Sequence, residues 1–131
     1  MSYLIDTHVL LWWLFNDARL CAISRNIIKN PDNTIIVSSV SALEIATKYR
    51  IGKLPEAEIL LQDYEGLIDK IGFTSLFITT AHALRAGSLP IEHRDPFDRL
   101  LMAQAELEDL PIITYDSAFY LTHLHVIPKP K

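Results

Sequence analysis

Thr34-Ile35-Ile36-Val37 is a run of four β-branched residues, preceded by Asn30-Pro31-Asp32-Asn33 and followed by Ser38-Ser39. Such side chains are stiff at χ1 and suit the extended chain. No polar residue alternates through the run, so it reads as a strand buried on both faces, the habit of a parallel sheet. The turn residues before it close a helix from about Cys21 to Lys29. The serines after it cap a helix that ends at Gly52.

The same punctuation extends in both directions. Upstream, Tyr3-Leu4-Ile5 is a short apolar strand ending in Asp6, and a helix follows from Thr7 to Phe15, closed by Asn16-Asp17. Downstream, one helix covers roughly Glu56 to Lys70 before Gly72, and Phe73 to Ile78 is a third strand. A short helix from Thr80 to Ala86 is closed by Gly87. His93-Arg94-Asp95-Pro96 is the clearest helix start: Asp95 caps, Pro96 suits the first position, and Asp98 stands three after the cap, as in a capping box. That helix runs to about Asp109. Pro111-Ile112-Ile113-Thr114-Tyr115 is a fourth strand, ahead of Asp116, and Val126-Ile127 a fifth. The tail, Pro128 to Lys131, is expected to fray. Strands alternating with helices predict an α/β fold: a three-layer α/β/α sandwich around a central parallel sheet of four to five strands.

A chain of 131 residues suffices for one domain, taken as 1–131. Half the residues are apolar and 21% are charged, which excludes a disordered tail. Lys and Arg number 12 against 16 Asp and Glu, a net charge of −4. That excludes a strongly basic nucleic-acid binder, but not an acidic site that meets nucleic acid through a metal. The longest apolar run, Val9 to Phe15, is seven residues, far short of the ~20 that span a bilayer. No secretory signal is read at the start, and a lone Cys21 fits a reducing compartment, so the cytoplasm is expected. Cys21 itself reads as a small buried hydrophobe.

In parallel sheets ligands bind beyond the carboxyl ends of the strands. Asp6 and Asp116 close the first and fourth strands, and Glu44 lies early in the helix after the second. Asp98 starts a helix that precedes a strand, so it reaches that edge only if Pro90 to Asp95 climbs back. If it does, four carboxylates converge and need a cation. Carboxylate oxygens and water suit Mg²⁺ or Mn²⁺, ions that activate water against a phosphodiester. Each acid also has a structural reading. Asp98 is a capping-box residue, Glu44 pairs with Lys48 at i+4, and Asp116 caps a short helix from Ser117 to Tyr120. Asp6 alone has no structural task in this reading.

Three stretches resemble the PIN domain, a metal-dependent ribonuclease fold, over the whole chain: Leu4-Ile5-Asp6-Thr7-His8, Ser39-Val-Ser-Ala-Leu-Glu44-Ile-Ala, and His93-Arg94-Asp95-Pro96-Phe97-Asp98-Arg99-Leu-Leu-Met-Ala103 followed by Ile113-Thr114-Tyr115-Asp116. The nearest likeness is to VapC-type toxins of bacterial toxin–antitoxin pairs. It implies that Asp6, Glu44, Asp98 and Asp116 bind one or two Mg²⁺ or Mn²⁺ ions and that RNA is cut. It also implies that Pro90–Asp95 does bring Asp98 to the cluster. A homodimer is implied too, with an antitoxin whose C-terminal segment occupies the groove. With the four acids set aside, 12 acidic residues remain against 12 basic ones, so the excess charge equals the site. Lys48, Arg50, Lys53, Arg94 and Arg99 read mostly as solvated charges, one or two of them on phosphate.

Trp12 and Trp13 in the first helix suit either a covered core or an interface with another chain. His8 reads as a substrate or outer-sphere group, His82 as a helix-surface residue, and His123-Leu-His125 is too short of ligands for a metal site. Two rival functions stand beside the nuclease: an inactive PIN-like module that only binds a partner, and a phosphate-accepting signalling domain. The second lacks an acid beside Asp6 and at the end of the third strand. A haloacid-type phosphatase needs an acid where His8 stands.

Overall fold

The computed structural model describes residues 1–129; Pro130 and Lys131, half of the tail expected to fray, lie outside it. Five strands form one sheet: β1 (Ser2–Ile5), β2 (Thr34–Ser38), β3 (Thr74–Leu76), β4 (Ile112–Ile113) and β5 (Val126–Ile127). All pairings are parallel, in the order β3-β2-β1-β4-β5. Ile5 stands level with Val37 on one side and Ile113 on the other, so the strands finish along a common edge.

Strand alternation supplies two cores. Tyr3, Ile5, Ile35, Val37 and Ile113 point to one face, where they meet α1 (Thr7–Leu14), α2 (Ala22–Lys29) and part of α3 (Ser39–Arg50). Leu4, Ile36 and Ile112 point to the other, against Leu101, Met102 and Ala105 of α7 (Pro96–Leu107). Both faces are therefore covered, and the expected three-layer sandwich is present. Six of the seven residues of the apolar run are covered within the chain: Val9, Leu10 and Leu11 are buried, and Trp12, Trp13 and Leu14 pack half-buried around them, while Phe15 is exposed.

Four boundaries differ from the sequence reading, the simplest being β4, which keeps only Ile112–Ile113 of the expected 111–115. The single helix expected from Glu56 to Lys70 is broken into a 3₁₀ turn at Pro55–Ala57, α4 (Glu58–Leu61) and α5 (Tyr64–Lys70). The break is local chemistry: the Asp63 carboxylate accepts from Gly66 N at 3.2 Å and starts a new helix. A Cβ at Gly66 would collide with that carboxylate. The third strand keeps only Thr74–Leu76 of the expected 73–78; it is an edge strand, and Phe77 beyond it is 73% exposed. Finally, α6 (Thr80–Ser88) runs through Gly87 instead of stopping there. Gly52, by contrast, ends α3 as expected, with φ at +80°.

Candidate metal centre

The strand order reverses between β1 and β4, since β1 leads to β2 on one side while β4 adds on the other. A crevice at the carboxyl ends of such a pair is the ligand site of open parallel sheets. Asp6 and Thr114 are the first residues past these two strands, and Asp6 N donates to Ile113 O at 3.1 Å.

Asp6 is buried and engaged at both oxygens. Oδ1 accepts from Val9 N at 2.9 Å, and Oδ2 accepts the Thr114 hydroxyl. The expectation that Asp6 has no structural task is therefore corrected: it is the N-cap of α1, because the chain leaves β1 extended and turns straight into the helix. Burial pushes its carboxyl above the usual range, opposed by the Thr114 and Val9 hydrogen bonds and by His8, and reinforced by nearby Glu44. Thr114 Oγ1 in turn accepts from Asp116 N at 3.1 Å. One hydroxyl thus links the acids that follow two adjacent strands. Asp116 Oδ1 caps the 3₁₀ helix Ser117–Leu121 through Ala118 N at 2.9 Å, as expected of it.

Glu44 sits in the second turn of α3, 5% exposed, with Lys48 Nζ 2.6 Å from Oε2. One turn earlier, Ser41 Oγ accepts the buried Thr7 hydroxyl at 2.9 Å, which ties α3 to the start of α1 and seats Glu44 beside Asp6.

The connection from α6 does climb back. Arg99 collects it: its guanidinium donates to the carbonyls of Ala86 (2.8 Å), Leu89, Ile91 and His93 (each 2.9 Å). The reading of Arg99 as a solvated charge is corrected, since planar donors in a fixed fork suit several carbonyls at once. Arg94, the neighbouring cation, is exposed. Asp95 then caps α7 through Phe97 N (2.8 Å) and Asp98 N (3.3 Å). Asp98 does not complete a capping box. Its Oδ2 lies 2.7 Å from His93 Nε2 instead. Burial raises the Asp98 carboxyl to about 6, helped by Asp95 and Asp116 and opposed by His93.

His93, Asp98 and Asp116 each bring a ligand atom within 4.8 Å of the others, the only such group of three among the described residues. Asp6 adjoins it through Thr114, and Glu44 lies near Asp6, but both stand outside it. Two hard oxygen donors and an imidazole, with buried Asp6 beside them, fit a divalent cation. His123 and His125 join no such group. They border a separate hollow of about 640 Å³, with Met1, Leu89, Met102 and Leu110, at the amino ends of the strands and away from all four acids.

Sequence reasoning missed four residues. His93 and Arg99 lie inside the stretch already singled out, and Thr114 ends the strand that leads to Asp116. His82, expected on a helix surface, is 2% exposed. Its ring closes the α6 capping box with Thr79 and meets Glu108 at 3.0 Å, which draws it inward between α6 and α7. Cys21 is also more than a hydrophobe: half-buried, its Sγ is 2.9 Å from the Tyr115 hydroxyl. Burial raises its thiol, but hydrogen bonds from Tyr115 and Ser24 outweigh that and bring it to about 7.

The PIN domain family model matches residues 3–123. Among solved structures, the chain is similar to one of the VapBC2 complex from Rickettsia felis bound to promoter DNA, at TM-score 0.70 and 16% identity over 96% of this chain and 97% of that one. It is similar to a chain of a toxin–antitoxin complex from Klebsiella pneumoniae, at TM-score 0.65 and 24% identity over 96% of each chain. DNA-bound VapBC from Salmonella typhimurium matches at TM-score 0.69 and 17% identity over 96% of each. These are likenesses of fold. Comparison with curated proteins finds no match. With its sheet order, its crevice and a family match over nearly its whole length in agreement, the chain belongs to the PIN domain family.

Proposed function

We propose that the chain, 1–131, is one nuclease domain that hydrolyses RNA with a divalent metal, and that it is the toxin of a toxin–antitoxin pair. The observation that carries this reading is the convergence of Asp98 and Asp116 on one point beside the Asp6–Thr114 link, at the sheet's switch point. Family membership supports a nuclease, and the toxin–antitoxin complexes among the structural neighbours support the pairing with an antitoxin. Asp6, Glu44, Asp98 and Asp116 would hold Mg²⁺ or Mn²⁺. A bound ion of this kind activates water and neutralises charge on a phosphodiester.

The protein's own contribution is placement. Thr114 holds Asp6 and Asp116 in register, Thr7 and Ser41 hold Glu44, and Arg99 holds the segment that delivers Asp98. Exposed Arg94 is the cation free to meet phosphate among the described residues of that segment. Lys48 is already engaged by Glu44. The cytoplasm, a homodimer and an antitoxin segment in the groove complete the proposal. No helix of the described residues is long and apolar enough to cross a membrane.

RNA cleavage assayed with Mg²⁺ or Mn²⁺, with chelator, and with Asp98→Asn tests the reading. Cleavage that needs the ion and fails in the variant supports it. Cleavage undiminished in chelator or in Asp98→Asn overturns it, and a folded, metal-loaded protein that cuts no RNA favours the binding module.

A further inference from the structure

We propose that His93 is itself a ligand of the metal ion, so that the centre is a mixed nitrogen and oxygen site that takes Mn²⁺ or Co²⁺ ahead of Mg²⁺. This rests on the metal-site reading above and sharpens it.

The spacing fits. An octahedral shell with bonds of about 2.1 Å puts neighbouring ligands about 3 Å apart and opposite ones about 4.2 Å apart. His93 Nε2 and Asp98 Oδ2 are 2.7 Å apart, close to one edge of that shell, and Asp116 lies within 4.8 Å of both. Shifts of a few tenths of an ångström complete the set, within the ordinary freedom of side chains.

His93 has no competing structural duty. Asp95 caps α7, so the helix start does not need the imidazole. The His93 carbonyl is pinned by Arg99 at 2.9 Å, next in sequence to Asp98, so the ring and the acid are carried by one rigid unit. The side chain keeps 30% of its surface exposed, which leaves the ring a path to solvent ions. Nitrogen matters for selectivity. Mg²⁺ is a hard ion that favours oxygen and water, whereas imidazole binds first-row transition ions, more strongly from Mn²⁺ to Co²⁺.

The competing role is an outer one, in which the His93 ring only donates to Asp98 and orients it. His93→Gln separates the two, because glutamine retains an N–H donor but offers no imidazole nitrogen. The primary measurement uses the unaltered full chain loaded with Mn²⁺: pulsed electron paramagnetic resonance, with ¹⁵N-histidine labelling, for coupling between the ion and imidazole nitrogen. Calorimetric titration then compares Mn²⁺, Co²⁺ and Mg²⁺ on wild type and His93→Gln. The expected results are nitrogen coupling and a loss of about tenfold or more in Mn²⁺ and Co²⁺ affinity in the variant, with Mg²⁺ affinity little changed. Bound Mn²⁺ without nitrogen coupling overturns the inference and leaves the nuclease reading intact. Failure of the wild type to bind any of the three ions overturns both.

Discussion

His93 Nε2 and Asp98 Oδ2 face each other at 2.7 Å across the start of α7, joined by a segment whose carbonyls are gathered on Arg99. Burial raises the Asp98 carboxyl to about 6, and the nearby Asp95 and Asp116 add to the shift.

That shift has a sign that a melting experiment reads. An Asp whose folded carboxyl is raised takes up its proton earlier in the native state than in the unfolded chain. Metal-free protein should therefore gain stability as pH falls from about 6 towards 4, and lose it as pH rises. Asp98→Asn removes the penalty and should be more stable than wild type by roughly 1–3 kcal/mol at pH 7.5 in chelator, with the difference vanishing near pH 4. Thermal melts across that range check it, and a variant that melts below wild type at pH 7.5 counts against it.

Divalent ions should raise stability where the bare carboxylates lower it. At 100 times its dissociation constant, an ion binding only the native state adds about 2.7 kcal/mol. For a chain of this length that is a rise of roughly 10 °C in Tm. Asp116→Asn should show a clearly smaller rise. Equal shifts in both proteins would place the ion elsewhere.

Asp6→Asn should cost at least about a hundredfold in RNA cleavage with little change in fold. Because Asp6 caps α1, the choice of substitution matters: asparagine caps as well as aspartate, so the helix start survives. Asp6→Ala, which loses the cap, should in addition lower stability by about 1 kcal/mol. Circular dichroism melts beside cleavage assays distinguish charge from cap.

Arg99→Met should cost about 2–4 kcal/mol, since four carbonyls lose a charged donor together. Arg99→Lys should recover only part of it, because one ammonium cannot reach across the set. Urea denaturation gives the magnitude. Hydrogen exchange that quickens across 86–93 while the strands stay protected shows that the loss is local.

Much of the fold was legible because parallel strands advertise themselves. Tyr3–Ile5, Thr34–Val37 and Pro111–Tyr115 are apolar runs bounded by turn residues, and each holds a strand of the sheet. Polar side chains that capture a neighbouring backbone group were harder to see. Asp63 splits a helix through Gly66 N in a stretch whose periodicity looks continuous, and Asp6, legible only as a strand end, starts one through Val9 N. The acids stood out by their place at strand ends. His93 and Arg99 did not, because their partners are side-chain oxygens and carbonyls that only the folded loop brings near. Thr79 and His82 illustrate the same limit: helical spacing puts His82 on a face, but only the cap turns that face inward.

The Thr114–Asp6 link joins positions 108 residues apart, and it has a bearing on the order in which the acids can assemble during synthesis. β1 and Asp6 leave the ribosome well before Ile113, Thr114 and Asp116, at translation speeds of about 5–20 residues per second. Until they emerge, Asp6 lacks its hydroxyl partner, β1 lacks one of its two neighbours, and Asp98 has no Asp116 to meet. A chain cut short before Thr114 thus lacks part of this cluster, whatever else of the sheet has formed.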